Sequence, residues 1–287
     1  MLFSHLSFLL GLAGAAALTY PDPARCTAPV VRREWRDLSE ENRQSYIDAV
    51  LCLKTKPSKI DLPTSLYDDF PFVHQKYNEI IHGIATFLPW HRYFTVVYEN
   101  ALHECGYEGS VPYWDWTRDP MEFYKSPVFA DQFGFGYDGS DNKTETLADG
   151  RLLRCVTAGP FKDLRPSYIA VSLKELVEEE HCLFRNLVDG DNEASARAAE
   201  YFNSTAIAAV QTETTYEDYR WKLEGGPHGI IHSSIGGDMT PTTSPNEPLF
   251  FLHHAQIDRI WSQWQDMDIE AREYDYAGPT IHAGKPR

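Results

Sequence analysis

Positive charge is scarce in this chain. Twenty-six lysines and arginines stand against 42 aspartates and glutamates, giving a formal net charge of -16 over 287 residues and a pI near 5.0. That balance excludes nucleic acid as a partner, because phosphate backbones are held by clustered Lys and Arg. It leaves a small neutral or cationic ligand as the expectation. Cysteine is scarce as well. Cys26, Cys52, Cys105, Cys155 and Cys182 are too few for a disulfide-built scaffold, although they fit an oxidising compartment. Spacing does not fix their connectivity. Cys26 with Cys52 and Cys155 with Cys182 would tie down loop-rich regions and leave Cys105 unpaired at a helix end. Long apolar runs are missing everywhere except at the start, "MLFSHLSFLLGLAGAAALTYPDP". This stretch lacks Lys and Arg, has signal-peptide length and ends in small residues and Pro, so residues 1–18 are expected to be a leader cleaved near Ala17 to Thr19. After cleavage nothing remains that could span a bilayer. Two sequons, at Asn142 and Asn203, are compatible with glycosylation along a secretory route. Internal repeats, low-complexity tracts and long Pro/Gly/Ser linkers are absent, which favours one domain over residues 19–287.

What is present is a core-forming composition, 43% hydrophobic with seven tryptophans. "SEENRQSYIDAVLCLK" has a Ser cap, an acidic first turn and apolar residues at helical spacing. A second helix is expected from near Pro71, a third from Pro89 to about Glu104, a fourth over His228 to His232, and a fifth from Pro248, behind Asn246 as cap, to about Met267. Strand signals are sparse, so the chain reads as mainly α with long loops and little β.

Six of the eleven histidines fall into two sets, His74-x7-His82-x8-His91 and His228-x3-His232-x21-His254. At 100° per residue His228 and His232 stack on one helical face, so both imidazoles can reach one metal ion. Gly83 and Pro89 interrupt any helix between His82 and His91, and a loop there can bring His82 round to an ion held by His74 and His91. Two tri-imidazole sites result. Their chemistry is narrowed by what is missing from them. No Glu stands beside the first histidine of His-Gly-Ile-Ile-His to act as the base of a zinc peptidase, and no carboxylate joins the ligands as in non-haem iron oxygenases. Neutral imidazoles alone favour copper.

The stretches "HGIATFLPWHRYFTVVYE", "VPYWDW", "PHGIIH" and "NEPLFFLHHAQIDRIW" closely resemble the type 3 copper family of tyrosinases, catechol oxidases and haemocyanins, in particular its short secreted fungal tyrosinase-like members. The resemblance spans about residues 25 to 265. It implies an antiparallel four-helix bundle enclosing a dinuclear copper site, with His74, His82 and His91 on one ion and His228, His232 and His254 on the other. Of the adjacent pair, the resemblance makes His254 the ligand and His253 a neighbour supporting it. Phe250 would pack against a ligand ring. Asp258 and Arg259 would fix histidine tautomers, and Arg92 would be either a supporting partner or a surface group. His103, His181 and His282 match no ligand position.

The activity implied is oxidation of o-diphenols to o-quinones with O2 as co-substrate and a small phenol as partner. Glu224 matches a glutamate that orders a water and helps deprotonate phenols. Gly229 stands where active monophenol hydroxylases often have Asn, which tilts the expectation towards o-diphenols. Ile80 replaces the cysteine that many relatives crosslink to the histidine equivalent to His82. Thr242 falls near a position that gates substrate entry. The chain stops about thirty residues after Asp258, so no C-terminal plug is expected, unless the sequence is truncated. Two other functions fit the same motifs: a tailoring oxidase for phenolic or tyrosine-containing peptide natural products of fungal secondary metabolism, and an oxygen-binding protein of the haemocyanin type. Oligomeric state is not legible.

Overall fold

The computed structural model describes residues 30–190 and 192–282, and from Arg32 onward they form one unit. The expected leader and Cys26 lie outside the described residues. Helix α1 (Glu40–Leu53) starts at Ser39, whose hydroxyl accepts the Asn42 N–H, and buries Tyr46, Ile47, Val50 and Leu53. Helix α2 (Leu66–Ile81) begins five residues earlier than Pro71 suggested. Ser65 and Asp68 close a capping box there, and Pro71 is accommodated inside the helix. In α3 (Phe87–Glu104) Pro89 falls in the first turn, where a missing N–H costs nothing because it has no acceptor within the helix.

The long middle section holds short 3-10 turns and two two-stranded antiparallel ladders, β1 (Gly139–Thr146) with β2 (Leu152–Val156) and β3 (Tyr168–Ala170) with β4 (Leu176–Glu178). Helices α4 (Glu193–Phe202), α5 (Ser204–Gln211) and α6 (Tyr216–Leu223) follow. Helix α6 runs directly into α7 (Gly229–Ile235) through a π-type turn over Glu224–His228. Pro227 offers no N–H to the ladder and Gly226 takes φ -97°, ψ -108°, so the helix widens there, as helices often do at functional sites. Helix α8 (Phe250–Asp266) follows and the short α9 (Ile269–Arg272) ends the order. Asn246 does not cap α8. It is fully buried in a 3-10 turn, where its amide donates to the carbonyl of Tyr168. Among the described residues no helix is long and apolar enough to cross a membrane.

Packing between α2, α3 and α8 is aromatic. Phe70, Phe94, Tyr98 and Phe251 interlock, with Tyr98 stacked on Phe251 at 3.6 Å between ring centroids. Such pairs contribute about 0.5–1.5 kcal/mol each beyond area burial and favour one helix register. The histidine-bearing positions lie next to this layer.

One disulfide expectation holds and one does not. Cys155 bonds Cys182. Cys52 bonds Cys105 rather than Cys26: α1 packs on α3 and sets their C-terminal ends together, 5.9 Å between Cα atoms. Non-reducing peptide mapping is expected to recover a peptide joining Cys52 to Cys105. Cys105→Ser should lower unfolding free energy in denaturant by about 2–4 kcal/mol, and a loss under 0.5 kcal/mol would reject a bond at this place.

Candidate metal centre

Each histidine of the first set is placed by a helix or its end. His74 points inward from α2. His82 caps the C-terminus of that helix, and Gly83, at φ +67°, makes the left-handed turn that sends the chain back into α3. One turn into α3 lies His91. In the second set His228 ends the π-type turn, His232 lies one turn further along α7, and His254 comes from α8. The donor nitrogens of His74, His82 and His91 all lie within 4.8 Å of one another. So do those of His228, His232, His253 and His254. The two sets face each other: the His91 and His254 rings stack at 4.4 Å and 11°, and His82 lies 6.4 Å from His228.

Ring protonation follows from the neighbours. Nδ1 of His74 donates to the carbonyl of Thr242 (2.7 Å), His91 to Phe87 (2.8 Å), His228 to Glu224 (3.0 Å) and His232 to Met239 (2.7 Å). A carbonyl can only accept, so in these four rings the proton sits on Nδ1. Burial, reinforced by the other imidazoles, holds His74, His91, His228 and His254 well below the usual imidazole pKa; burial chiefly takes His82 and His232 down to about 4. The rings are therefore neutral near pH 7, and each of the four presents an Nε2 lone pair. Those of His228 and His232 are buried with no partner, and those of His74 and His91 face each other at 3.3 Å. Two lone pairs at that distance repel unless something lies between them. Buried, unpartnered and neutral imidazole nitrogens in two threes fit a pair of copper ions.

Common central domain of tyrosinase is the family model that matches, over residues 64–267. The chain belongs to the tyrosinase family. The tyrosinase ustQ of Aspergillus flavus is 38% identical to it, over 94% of this chain and 73% of that relative. N-acetyl-6-hydroxytryptophan oxidase ivoB of Emericella nidulans is 33% identical over 91% and 80%. A glycine-to-asparagine variant of the polyphenol oxidase from Thermothelomyces thermophila superposes with a TM-score of 0.68 at 31% identity, covering 84% of this chain and 71% of that one. An octopus haemocyanin functional unit shares the fold, at a TM-score of 0.53 and 21% identity, over 84% and 54%.

Within this tyrosinase-family site the fourth histidine of the second cluster is set apart by its tautomer. Trp116 Nε1, which can only donate, points at His253 Nδ1 from 3.3 Å. A neutral His253 thus carries its proton on Nε2 and has no lone pair there for a metal. His254 keeps both nitrogens buried without a partner. Phe250 packs on its ring at 4.2 Å and on His74 at 5.2 Å, touching one histidine of each set.

Other expected residues have different partners from those foreseen. Asp258 reaches no imidazole: it accepts from Arg92 Nε and from Arg32 at 2.7 Å, while Arg92 stacks on Trp261 at 3.8 Å and bonds Gln265. Arg92 and Asp258 thus bolt α3 to α8. Arg259 lies over Tyr113 at 4.9 Å. Tautomers are fixed by main-chain carbonyls, which residue types alone could not reveal. Thr242 contributes its carbonyl to His74. Glu224 has both oxygens engaged, Oε1 accepting from the Gly83 N–H and Oε2 from Arg220, each at 2.6 Å. Burial raises its pKa, against the pull of those two donors. Its main-chain carbonyl takes the His228 proton, so this one residue bonds His228 of the second set and Gly83, the neighbour of His82 in the first. Gly229 has an ordinary helical backbone, and a Cβ there would meet only the Glu224 carbonyl, at 3.4 Å. Asn142 is exposed on β1. Asn203 is half-buried and caps α5 through Oδ1, which leaves Nδ2 for a glycan. His103 is exposed on α3.

Because His82 and His232 titrate near 4 when folded and near 6.5 when unfolded, the unfolded chain binds more protons between those values. The copper-free protein should therefore lose stability as pH falls from about 6.5 to 4 and show no further contribution from these rings above 6.5. Thermal melts of the apo-protein across pH 4–8 check this. A slope over 4–6.5 no smaller in His82→Gln than in the wild type would reject the assignment.

Proposed function

We propose that the protein is a secreted polyphenol oxidase that uses O2 and two copper ions to convert o-diphenols to o-quinones. The observation that carries it is the pair of neutral imidazole triads facing each other across 4.4 Å of stacked rings. Each diphenol gives up two electrons and two protons, and two diphenols reduce one O2 to two waters. What copper supplies on such ligands is adjacent one-electron redox cycling. What the chain supplies is a dry, shaped surround. Phe87, Phe250 and Phe94 wall the imidazoles and keep water from competing for the site. His82 and His232, one from each triad, are the less buried rings, so a phenol approaches from their side.

Gly229 and Glu224 bear on which phenol. A monophenol must lose its proton before reacting, and Gly229 offers no side chain to hold a water for that step. Glu224 could serve as the base through a water, but its oxygens are shared with Gly83 and Arg220. Both features favour substrates that ionise readily, the o-diphenols. A narrower reading, a tailoring oxidase acting on a hydroxylated aromatic metabolite, is supported by the relative named for N-acetyl-6-hydroxytryptophan. Two disulfides among the described residues support the secretory assignment, with residues 1–18 as the leader.

Copper-loaded protein with 4-tert-butylcatechol should consume O2 and form quinone. Oxygen uptake without quinone would defeat the reading. His91→Ala should take the copper content from about two ions per chain to about one and abolish turnover. Gly229→Asn should raise tyrosine hydroxylation relative to catechol oxidation several-fold; an unchanged ratio would remove Gly229 from the argument on specificity.

A further inference from the structure

Two of the imidazoles get their carbonyl from outside their own helix. His91 and His228 bond the carbonyl four residues back, Phe87 and Glu224, so helical geometry orients them. His74 and His232, one from each triad, depend on Thr242 and Met239. Both carbonyls belong to the loop over residues 236–247, which contains only two three-residue 3-10 turns. Such a loop has little of its own to fix two carbonyls at 2.7 Å.

The loop is held by charges. Asp238 accepts from His181 Nε2 (2.9 Å), from the Phe184 N–H (3.2 Å) and from the Asn246 amide (3.3 Å). At the other end Glu247 takes a two-pronged contact from Arg185, 2.8 Å on each oxygen, while Arg185 also donates to the carbonyls of Phe135, Gly136 and Tyr137. All four charged side chains are 0% exposed. Gly236 and Gly237 press the loop onto the same partner segment: a Cβ on Gly237 would stand 2.1 Å from the Phe184 carbonyl oxygen. That segment, residues 181–186, is itself anchored by the Cys155–Cys182 bond and by the Val156 N–H on the Leu183 carbonyl.

We propose that His181, Asp238, Arg185 and Glu247 are positioning residues of the metal centre, two buried ion pairs that lock the 236–247 loop so that its Met239 and Thr242 carbonyls orient one imidazole of each triad. Desolvation makes a buried ion pair a poor source of stability compared with apolar packing, whereas directional charge-assisted bonds fix geometry. His181 is suited to this. Nδ1 faces the Glu179 carbonyl at 3.1 Å and Nε2 faces Asp238, two acceptors that only an imidazolium can serve. Burial alone would lower its pKa, but Asp238, helped by Glu145, raises it.

The proposal rests on copper occupying the two triads, but not on any phenol being oxidised. The test compares His181→Gln, Asp238→Asn and the double variant, which removes both charges and so avoids a stranded buried ion. Lys54→Met, which severs a lysine–aspartate pair elsewhere, on Asp68, is the control for general destabilisation. Copper affinity is read by chelator competition, with roughly a 10- to 100-fold loss expected in the single variants and wild-type affinity in the control. Nitrogen-15 NMR of the copper-free proteins reads the tautomers. His232 should lose its pure Nδ1–H form in the His181 and Asp238 variants, while His91 and His228 keep theirs. Affinity within twofold of wild type, or equal disturbance of all four rings, would overturn the proposal. A wild-type protein that binds no copper would instead remove the reading it rests on.

Discussion

A buried imidazole has one proton to place, and where it goes decides what the ring can do. In this protein burial disfavours the doubly protonated form in the triads, so a carbonyl on Nδ1 converts a ring from an ambiguous donor or acceptor into a lone pair with a direction. Four main-chain carbonyls perform that conversion for His74, His91, His228 and His232. A tryptophan performs the opposite one on His253. The adjacent His253 and His254 thus differ: an indole N–H fixes the tautomer of the first, while both nitrogens of the second stay unpartnered. The helices, the π-type turn and the 236–247 loop matter to function because they bring those carbonyls within 3 Å.

That the six histidines would come together was legible because their spacing is a geometric statement: x3 is one helical turn, and x7 followed by an x8 gap holding a glycine and a proline describes a helix, a reversal and a helix. Helix α8 was legible in extent but not in its cap, since Asn246 spends its amide on Tyr168, a residue 78 positions away. The same limit hid the rest of the site. Asp258 sits one turn beyond His254, and sequence proximity suggested an imidazole partner, but Arg92 and Arg32 come from distant segments and offer full charges. His181 carries no spacing signal because its partner lies 57 residues on. Cys105 looked spare at a helix end until α1 and α3 were seen to finish side by side. Local periodicity reaches the sequence; pairings that depend on tertiary packing do not.

Glu224 shows how one residue can couple the two triads without touching either metal position. Its carboxylate holds the N–H of Gly83, next to His82, and its carbonyl holds His228. The widened turn that follows it is forced by Pro227 and Gly226, so the backbone irregularity and the hydrogen bonds are parts of a single arrangement. Displacing Glu224 would disturb a histidine of each set together, His228 directly and His82 through Gly83.

The charge balance leads one step further. Two copper ions held here would bring several positive charges into a region whose imidazoles are neutral. The carboxylates around it are already matched: Glu224 by Arg220, Asp238 by His181, Glu247 by Arg185, and Asp258 by Arg92 and Arg32. None of these four is free to approach an ion without abandoning a cation in a low-dielectric interior, which costs several kcal/mol. Were copper bound, neutralising charge would then come from a small oxygen anion such as hydroxide or a phenolate rather than from these four carboxylates.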